Sequence, residues 1–251
     1  TSLLEAYGAA ERIFKIEDTL PQTEEPETPV VCGEIETIEF KDVTFAYPNT
    51  ERRILDHFNY VIHKGDQIGI AGESGAGKST LLRLLLRFYA PSEGQILING
   101  IPLNQISFSE LHQRIAFLEQ DTYLFDMTIA KNIGIAKPEA SMEEIKDAAR
   151  RAGIAEFIDT LPDGYDTDMG QMSARLSGGE RQRIGIARIL LRNPDICLMD
   201  EPSSALDALH EKELLHTLKT AYAGKTLLLI SHRGSTLTGC NRILRAEDLK
   251  N

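Results

Sequence analysis

Residues 67–80 read Gln67-Ile-Gly-Ile-Ala71-Gly72-Glu73-Ser74-Gly75-Ala76-Gly77-Lys78-Ser79-Thr80. A short apolar run, 67–71, enters a glycine-rich turn. A leucine-rich stretch follows from Thr80 to Tyr89, where the spacing predicts a helix stopped by Pro91. The turn matches G-x-x-x-x-G-K-[ST], and its place between a strand and a helix is the context that gives the pattern meaning. Glycines let the backbone wrap closely around phosphates. Their N–H groups point inward, and the positive end of the helix dipole adds to the field. Lys78 is expected to reach the terminal phosphates, and Ser79 to place its hydroxyl on Mg²⁺.

Downstream, Ile196-Cys-Leu-Met199-Asp200-Glu201 is an apolar strand ending in two carboxylates. That puts Asp200 and Glu201 at the carboxyl edge of a sheet, where open α/β sheets bind ligands. Asp200 suits a metal held through water, and Glu201 suits proton transfer from an attacking water. Between the two motifs, Leu176-Ser177-Gly178-Gly179-Glu180 opens a helical run over 178–191 that ends at Asn193-Pro194. Ser177 as N-cap with Glu180 three residues on forms a capping box. It also makes a second helix start able to bind phosphate. The first site cannot occupy that place, so the pair suggests two copies facing each other across two nucleotides.

The rest of the chain bounds these readings. Its 251 residues allow one large domain or a domain with a subdomain. Hydrophobic residues make up 42% of it, enough to build a core without a disulfide or metal staple. No run of about 18 apolar residues is present, so no membrane-spanning helix is expected. Cys32, Cys197 and Cys240 are scattered without CxxC spacing, which speaks against zinc and for a reducing compartment. The net charge of −11 disfavours a nucleic-acid surface. Residues 1–34 carry eight acids and two bases, supplying −6 of it. They are expected to form a helix over 1–17 and a proline-rich acidic linker over 18–31. Folding is expected to begin near Glu34, with alternating strands over 35–47. Short strands are expected over 95–98, 115–118 and 226–230, and helices between 128 and 161. Ser141 with Glu144 should box the start of the 142–151 helix.

Taken together, LSGGE between the glycine-lysine loop and the strand ending Asp200-Glu201 resembles the signature of ATP-binding cassette (ABC) proteins, over about residues 34–245. The resemblance implies a P-loop NTPase fold of the α/β class. That fold has a RecA-like mixed sheet core, an antiparallel β subdomain and an α-helical signature subdomain, here about 121–192. It implies ATP bound by Gly72, Glu73, Ser74, Gly75, Ala76, Gly77, Lys78, Ser79 and Thr80, with Tyr47 stacking on adenine. Gln120 is similar to the glutamine that contacts Mg²⁺ and the attacking water, and His232 to the histidine on the γ-phosphate. Glu201, His232, Lys78 and Gln120 are thus the implied catalytic set, and Ser79, Gln120 and Asp200 the metal set. Ser177, Gly178, Gly179, Glu180 and Asp207, the last in Ser204-Ala-Leu-Asp207, are implied to face the ATP of a second copy.

Residues Gln120–Phe125, Ile129–Ile133, Leu161–Tyr165 and Ser231–Arg233 resemble the exporter branch. Ala10-Glu-Arg-Ile-Phe14 resembles the helix leading out of a last transmembrane segment. The implied protein is an ATPase motor at the cytoplasmic face of a membrane, coupled to a transmembrane domain in its own or a partner chain. Residues 1–33 would be the connecting helix and linker, and 34–251 the nucleotide-binding domain. A start at Thr1 fits a piece of a longer chain. The pattern departs from the family at Glu119, where proline is usual, and at Gly170-Gln171-Met172, where Gly-Glu is usual. Glu180 replaces a commoner glutamine, and the closing glycine-turn hairpin is missing after Arg245. A soluble, non-transport ABC ATPase is the alternative, and another P-loop NTPase a more distant one.

Overall fold

A computed structural model describes residue 7 and residues 23–172, 176–203 and 208–250. The expected 1–17 helix and the Ser204–Asp207 loop lie outside the described residues. The strands form two sheets, a parallel core and the separate antiparallel sheet expected as a β subdomain. The antiparallel sheet joins β1 (Thr37–Ala46), β2 (Arg53–His63), β4 (Glu93–Ile98) and β5 (Ile101–Pro102) in the order β2-β1-β4-β5. The parallel sheet holds β3 (Gln67–Ala71), β6 (Ile115–Leu118), β7 (Ile196–Asp200), β8 (Thr226–Ile230) and β9 (Arg242–Arg245) in the order β6-β7-β8-β3-β9.

Strands β7 and β8 read as continuous apolar runs because both of their faces are covered. Side chains alternate across a strand, and here the alternation feeds two separate cores. Ile196, Leu198, Leu228 and Ile230 join the core shared with β1, β2 and β4. Cys197, Met199, Leu227 and Leu229 join the core under the helices. Burial pushes the Cys197 thiol up to about 12, so it behaves as a small apolar group.

Helix α1 (Lys78–Leu85) follows β3, and α2 (Phe108–Arg114) precedes β6. Between β6 and β7 lie α3 (Ile129–Gly134), α4 (Met142–Arg151), α5 (Ala155–Asp159), α6 (Met169–Met172) and α7 (Gly178–Arg192). Helix α8 (Ala208–Ala221) joins β7 to β8, and α9 (Gly234–Leu237) joins β8 to β9. The capping boxes expected at Ser141–Glu144 and Ser177–Glu180 are both formed.

Helix α1 is shorter than its leucine spacing predicts. Arg87 adopts the left-handed conformation, φ +60°, and breaks the run before Tyr89. Its guanidinium is buried, donates to the carbonyls of Ile106 and Glu24, and stacks 4.0 Å from the Phe108 ring centre. Arg87 also fastens the acidic segment. Thr23 Oγ1 donates to its carbonyl at 2.7 Å, and Val30 N donates to Gln105 O at 2.8 Å. Strand β2 goes unread in the sequence because a bulge at Asp42 (φ +54°) and His57 (φ +50°) interrupts its alternation.

Candidate functional site

Strand register alone brings the chemistry to one edge. Ile230 of β8 pairs with both Ile70 of β3 and Asp200 of β7, and Met199 pairs with Leu118 of β6. The carboxyl ends of four strands are therefore level, and the residues just past each end gather there. These are Gly72, Gln120, Glu201 and His232. Two backbone bonds carry the level into the loops, Glu201 N to Ile230 O at 3.0 Å and Ser231 N to Ile70 O at 3.4 Å.

The glycine loop is open where a ligand needs backbone. Gly72, Glu73, Ser74 and Gly75 are exposed, and Ala76, Gly77 and Ser79 half-buried. Gly77 caps α1 with φ +102° and offers no side-chain bond to the first helical N–H groups. Thr80 N turns back to Gly77 O at 3.1 Å, while the N–H groups of Lys78 and Ser79 stay available to an anion. A Cβ on Gly77 would lie 2.5 Å from Ile54 Cγ2, and one on Gly72 2.3 Å from Ala246 Cβ. The loop thus packs so closely that only glycine fits at either place.

Lys78 is buried, and its ammonium donates to the carbonyls of Gly72 and Glu73 at 2.8 and 2.7 Å. Burial lowers its pKa, against the opposing pull of the nearby Glu201 and Asp200 carboxylates. A phosphate would give this cation a charged acceptor in place of neutral carbonyls.

Glu201 stands at φ +49°, a conformation rare for a residue with a side chain. Its Oε1 lies 2.7 Å from His232 Nε2. Tyr47 stands edge-on to Phe45 and Tyr89, with ring centres 5.1 Å away in each case. Its hydroxyl meets Thr80 Oγ1 at 2.9 Å and accepts from Arg83 Nη1 at 3.1 Å. Thr80 is itself buried, so its hydroxyl serves the tyrosine.

Ser177 and Glu180 form their own closed unit. Ser177 N donates to Glu180 Oε2 at 2.7 Å, and Glu180 N to Ser177 Oγ at 3.2 Å. Among the described residues, no hydrogen bond joins residues 177–180 to the 72–80 loop. Gly178 and Gly179 are half-buried, and Asp207 lies outside the described residues.

Gln182 went unread in the sequence. It is 3% exposed and sits on the face of α7 shared with Ile186 and Ile189. A polar residue on an apolar face was the available signal. Its amide nitrogen donates to the carbonyl of Gln120, and its amide oxygen accepts from Thr122 Oγ1 at 3.0 Å. The helix that begins at Ser177 is thereby tied to the backbone that carries Gln120. Arg188, lower on the same helix, donates to Asn132 O and Tyr123 O at 2.7 Å each. Beside it a cavity of about 300 Å³ is lined by Leu118, Asp121, Thr122, Tyr123, Phe125 and Arg188. Tyr123 there is 70% exposed and packs edge-on to Phe125 at 5.0 Å.

Comparison with known proteins finds a matching family and several relatives. The ABC transporter family model matches residues 55–204. A probable ABC transporter ATP-binding/permease protein of Haemophilus influenzae is 42% identical over 99% of this chain and 45% of its own length. An ATM1-type heavy metal exporter of Novosphingobium aromaticivorans is 40% identical over 92% of this chain and 38% of its own length. The structure of a bacterial Atm1-family ABC exporter with ATP bound superposes with a TM-score of 0.87 at 38% identity, covering 96% of this chain and 42% of that one. The chain therefore spans less than half the length of these relatives.

Proposed function

The chain belongs to the ABC transporter family, and from that premise we propose that it is the ATP-hydrolysing motor domain of an exporter. The observation that carries the proposal is the level register of β3, β6, β7 and β8, ending in the 2.7 Å approach of Glu201 and His232. ATP lies with its phosphates along residues 72–80 and its adenine on Tyr47. Lys78 turns from its loop carbonyls to the β- and γ-phosphates. Glu201 accepts the proton of the water attacking the γ-phosphorus, while His232 and Lys78 bear on the charge that builds on the transferring oxygens. Gln120 orients that water. The products are ADP and inorganic phosphate.

Magnesium fits the donors present. Among the described residues no cluster of three or more His, Cys, Asp or Glu could hold a metal by itself. Mg²⁺ habitually takes one or two protein ligands and completes its shell with phosphate and water. Ser79 and Gln120 as direct ligands, with Asp200 holding the ion through water, suit that habit. When bound, the ion neutralises phosphate charge.

Hydrolysis needs two copies: Ser177, Gly178, Gly179 and Glu180 act on the ATP of the other copy, and the Ser204–Asp207 loop, outside the described residues, is assigned the same role by its sequence. The exposed Tyr123–Phe125 edge meets a transmembrane domain, in the same or a partner chain, at the cytoplasmic face of the membrane. Residues 1–33 connect to that domain, 34–251 form the motor, and about 121–192 its helical subdomain. The length of the relatives supports a membrane partner. Their names favour export over a soluble ATPase. Among the described residues no helix is long and apolar enough to cross a membrane.

The test is Glu201→Gln. Steady-state ATPase turnover should fall at least about 100-fold, while ATP affinity stays within about twofold. Turnover at the native rate would remove Glu201 from its role.

A further inference from the structure

One buried charge close to this site has no part in the chemistry above. Glu211 lies on α8 in line with Leu214, Leu218 and Tyr222, all buried. It is 6% exposed on an otherwise apolar stripe. A carboxylate there persists only if it is well partnered.

Its partners come from the segment after β7 and from the start of α9. Arg233 Nη1 donates at 2.7 Å, Thr236 Oγ1 at 2.6 Å and Ser235 Oγ at 3.3 Å. From the other side Ser203 Oγ donates at 3.3 Å, and it lies 3.4 Å from Thr236 Oγ1. Burial pushes the Glu211 carboxyl up. The hydrogen bonds from Thr236 and Arg233, with the Arg233 charge, outweigh that and hold it below the usual carboxylate range. It is therefore a charged acceptor shared by several donors.

Ser203 stands two residues after Glu201, and Arg233 directly follows His232. Both reactive groups sit past the last ladder position of their strands, at Asp200 and Ile230. Glu201 is moreover at φ +49°, a conformation that lasts only where the surroundings over-determine it. We propose that Glu211 is a positioning residue, one carboxylate that hooks Ser203 to the Arg233–Thr236 start of α9 and so sets Glu201 against His232. This rests on the roles given above to Glu201 and His232. A misplacement of the order of an ångström is enough to slow a chemical step without altering how substrate binds.

The test is ATPase turnover of Glu211→Gln in the full chain, normalised to the number of ATP sites measured by equilibrium binding. This variant keeps the shape and removes the charge. Turnover per site should fall about 10- to 100-fold, with KM for ATP within about twofold. A purely structural role would instead reduce the number of sites and leave turnover per remaining site unchanged. Native turnover per site would overturn the proposal, as would a rise in KM matching the fall in kcat. If Glu211→Gln binds no ATP, Thr236→Val removes the shortest of the bonds and is read by the same two numbers, with a fall of about 3- to 10-fold expected. Glu201→Gln separates the two claims. If it keeps native turnover, the underlying reading fails. If it is inactive while Glu211→Gln is native per site, only the positioning role fails.

Discussion

Two helix starts in this molecule face the same electrostatic problem and solve it differently. Helix α1 begins at Gly77, which offers no side chain to its first N–H groups. Helix α7 begins at Ser177, whose hydroxyl and partner Glu180 satisfy each other's backbone. The first is unfinished within its own chain, and in the proposed reading a phosphate would complete it, with the buried Lys78 adding the matching charge. The second is complete as a helix before any ligand arrives. It can present Ser177 and Gly179 outward at little structural cost, which suits a half-site that meets its nucleotide only when a second copy docks. A third start, at Ser141, has the same box as Ser177 but no part in the proposed site, and so serves as an internal control.

The comparison breaks most readily at α1. Gly77→Ala brings a Cβ to 2.5 Å from Ile54 Cγ2 at φ +102°. The expected cost is about 1–3 kcal/mol of strain, together with loss of ATP binding in a calorimetric titration. Lys78→Ala leaves the fold intact and should weaken ATP affinity about 30- to 100-fold, the worth of a charge-assisted bond.

The next effect separates α7 from α4. Ser177→Ala and Ser141→Ala should each cost about 1 kcal/mol, a drop of about 2–4 °C in thermal melting. Only Ser177→Ala should also slow ATP turnover. Equal turnover in the two variants would reduce the Ser177 box to plain capping.

A smaller effect belongs to the control helix in acid. Glu144 accepts from Lys137 at 2.6 Å and from Ser141 N at 2.8 Å, which hold its carboxyl down at about 2. A depressed folded-state pKa adds stability above the ordinary value of 4.5, and that stability fades as pH falls toward about 2. Glu144→Gln should flatten the acid limb of a melting-against-pH curve in that window. The side chain is exposed, so high salt should shrink the difference. The smallest change is expected for Glu180→Gln. Glutamine also completes a capping box, so stability should move by less than about 0.5 kcal/mol.

How legible each part was follows from the range of the interactions that make it. The glycine-lysine loop, both capping boxes and the strands ending at Asp200 and Ile230 depend on neighbours in sequence, and each could be read from local pattern. The length of α1 could not, because Arg87 ends it through carbonyls contributed by residues 24 and 106. Strand β2 was hidden by the Asp42–His57 bulge. Gln182 and Glu211 each carried a faint signal, a polar side chain on an apolar helical face, but spacing cannot name the partners of such a residue. Those partners lie 60 and 62 positions away for Gln182, and for Glu211 8 positions back and 22 to 25 ahead, and only folding brings them near.

The sequence by itself determined which groups exist and which stand at strand ends. Apolar runs closing on Gly72, Asp200-Glu201 and Ser231-His232 already state that a glycine-rich backbone, carboxylates and an imidazole belong to a sheet edge. The tertiary structure decided that these edges are level, that Glu201 and His232 stand 2.7 Å apart, and that single side chains lock the loops between them. The physical reason is the nature of the bonds involved. Helix starts and strand alternation come from interactions a few residues long. Parallel register and buried charge partners are long-range, specified only when two cores pack against opposite faces of one sheet.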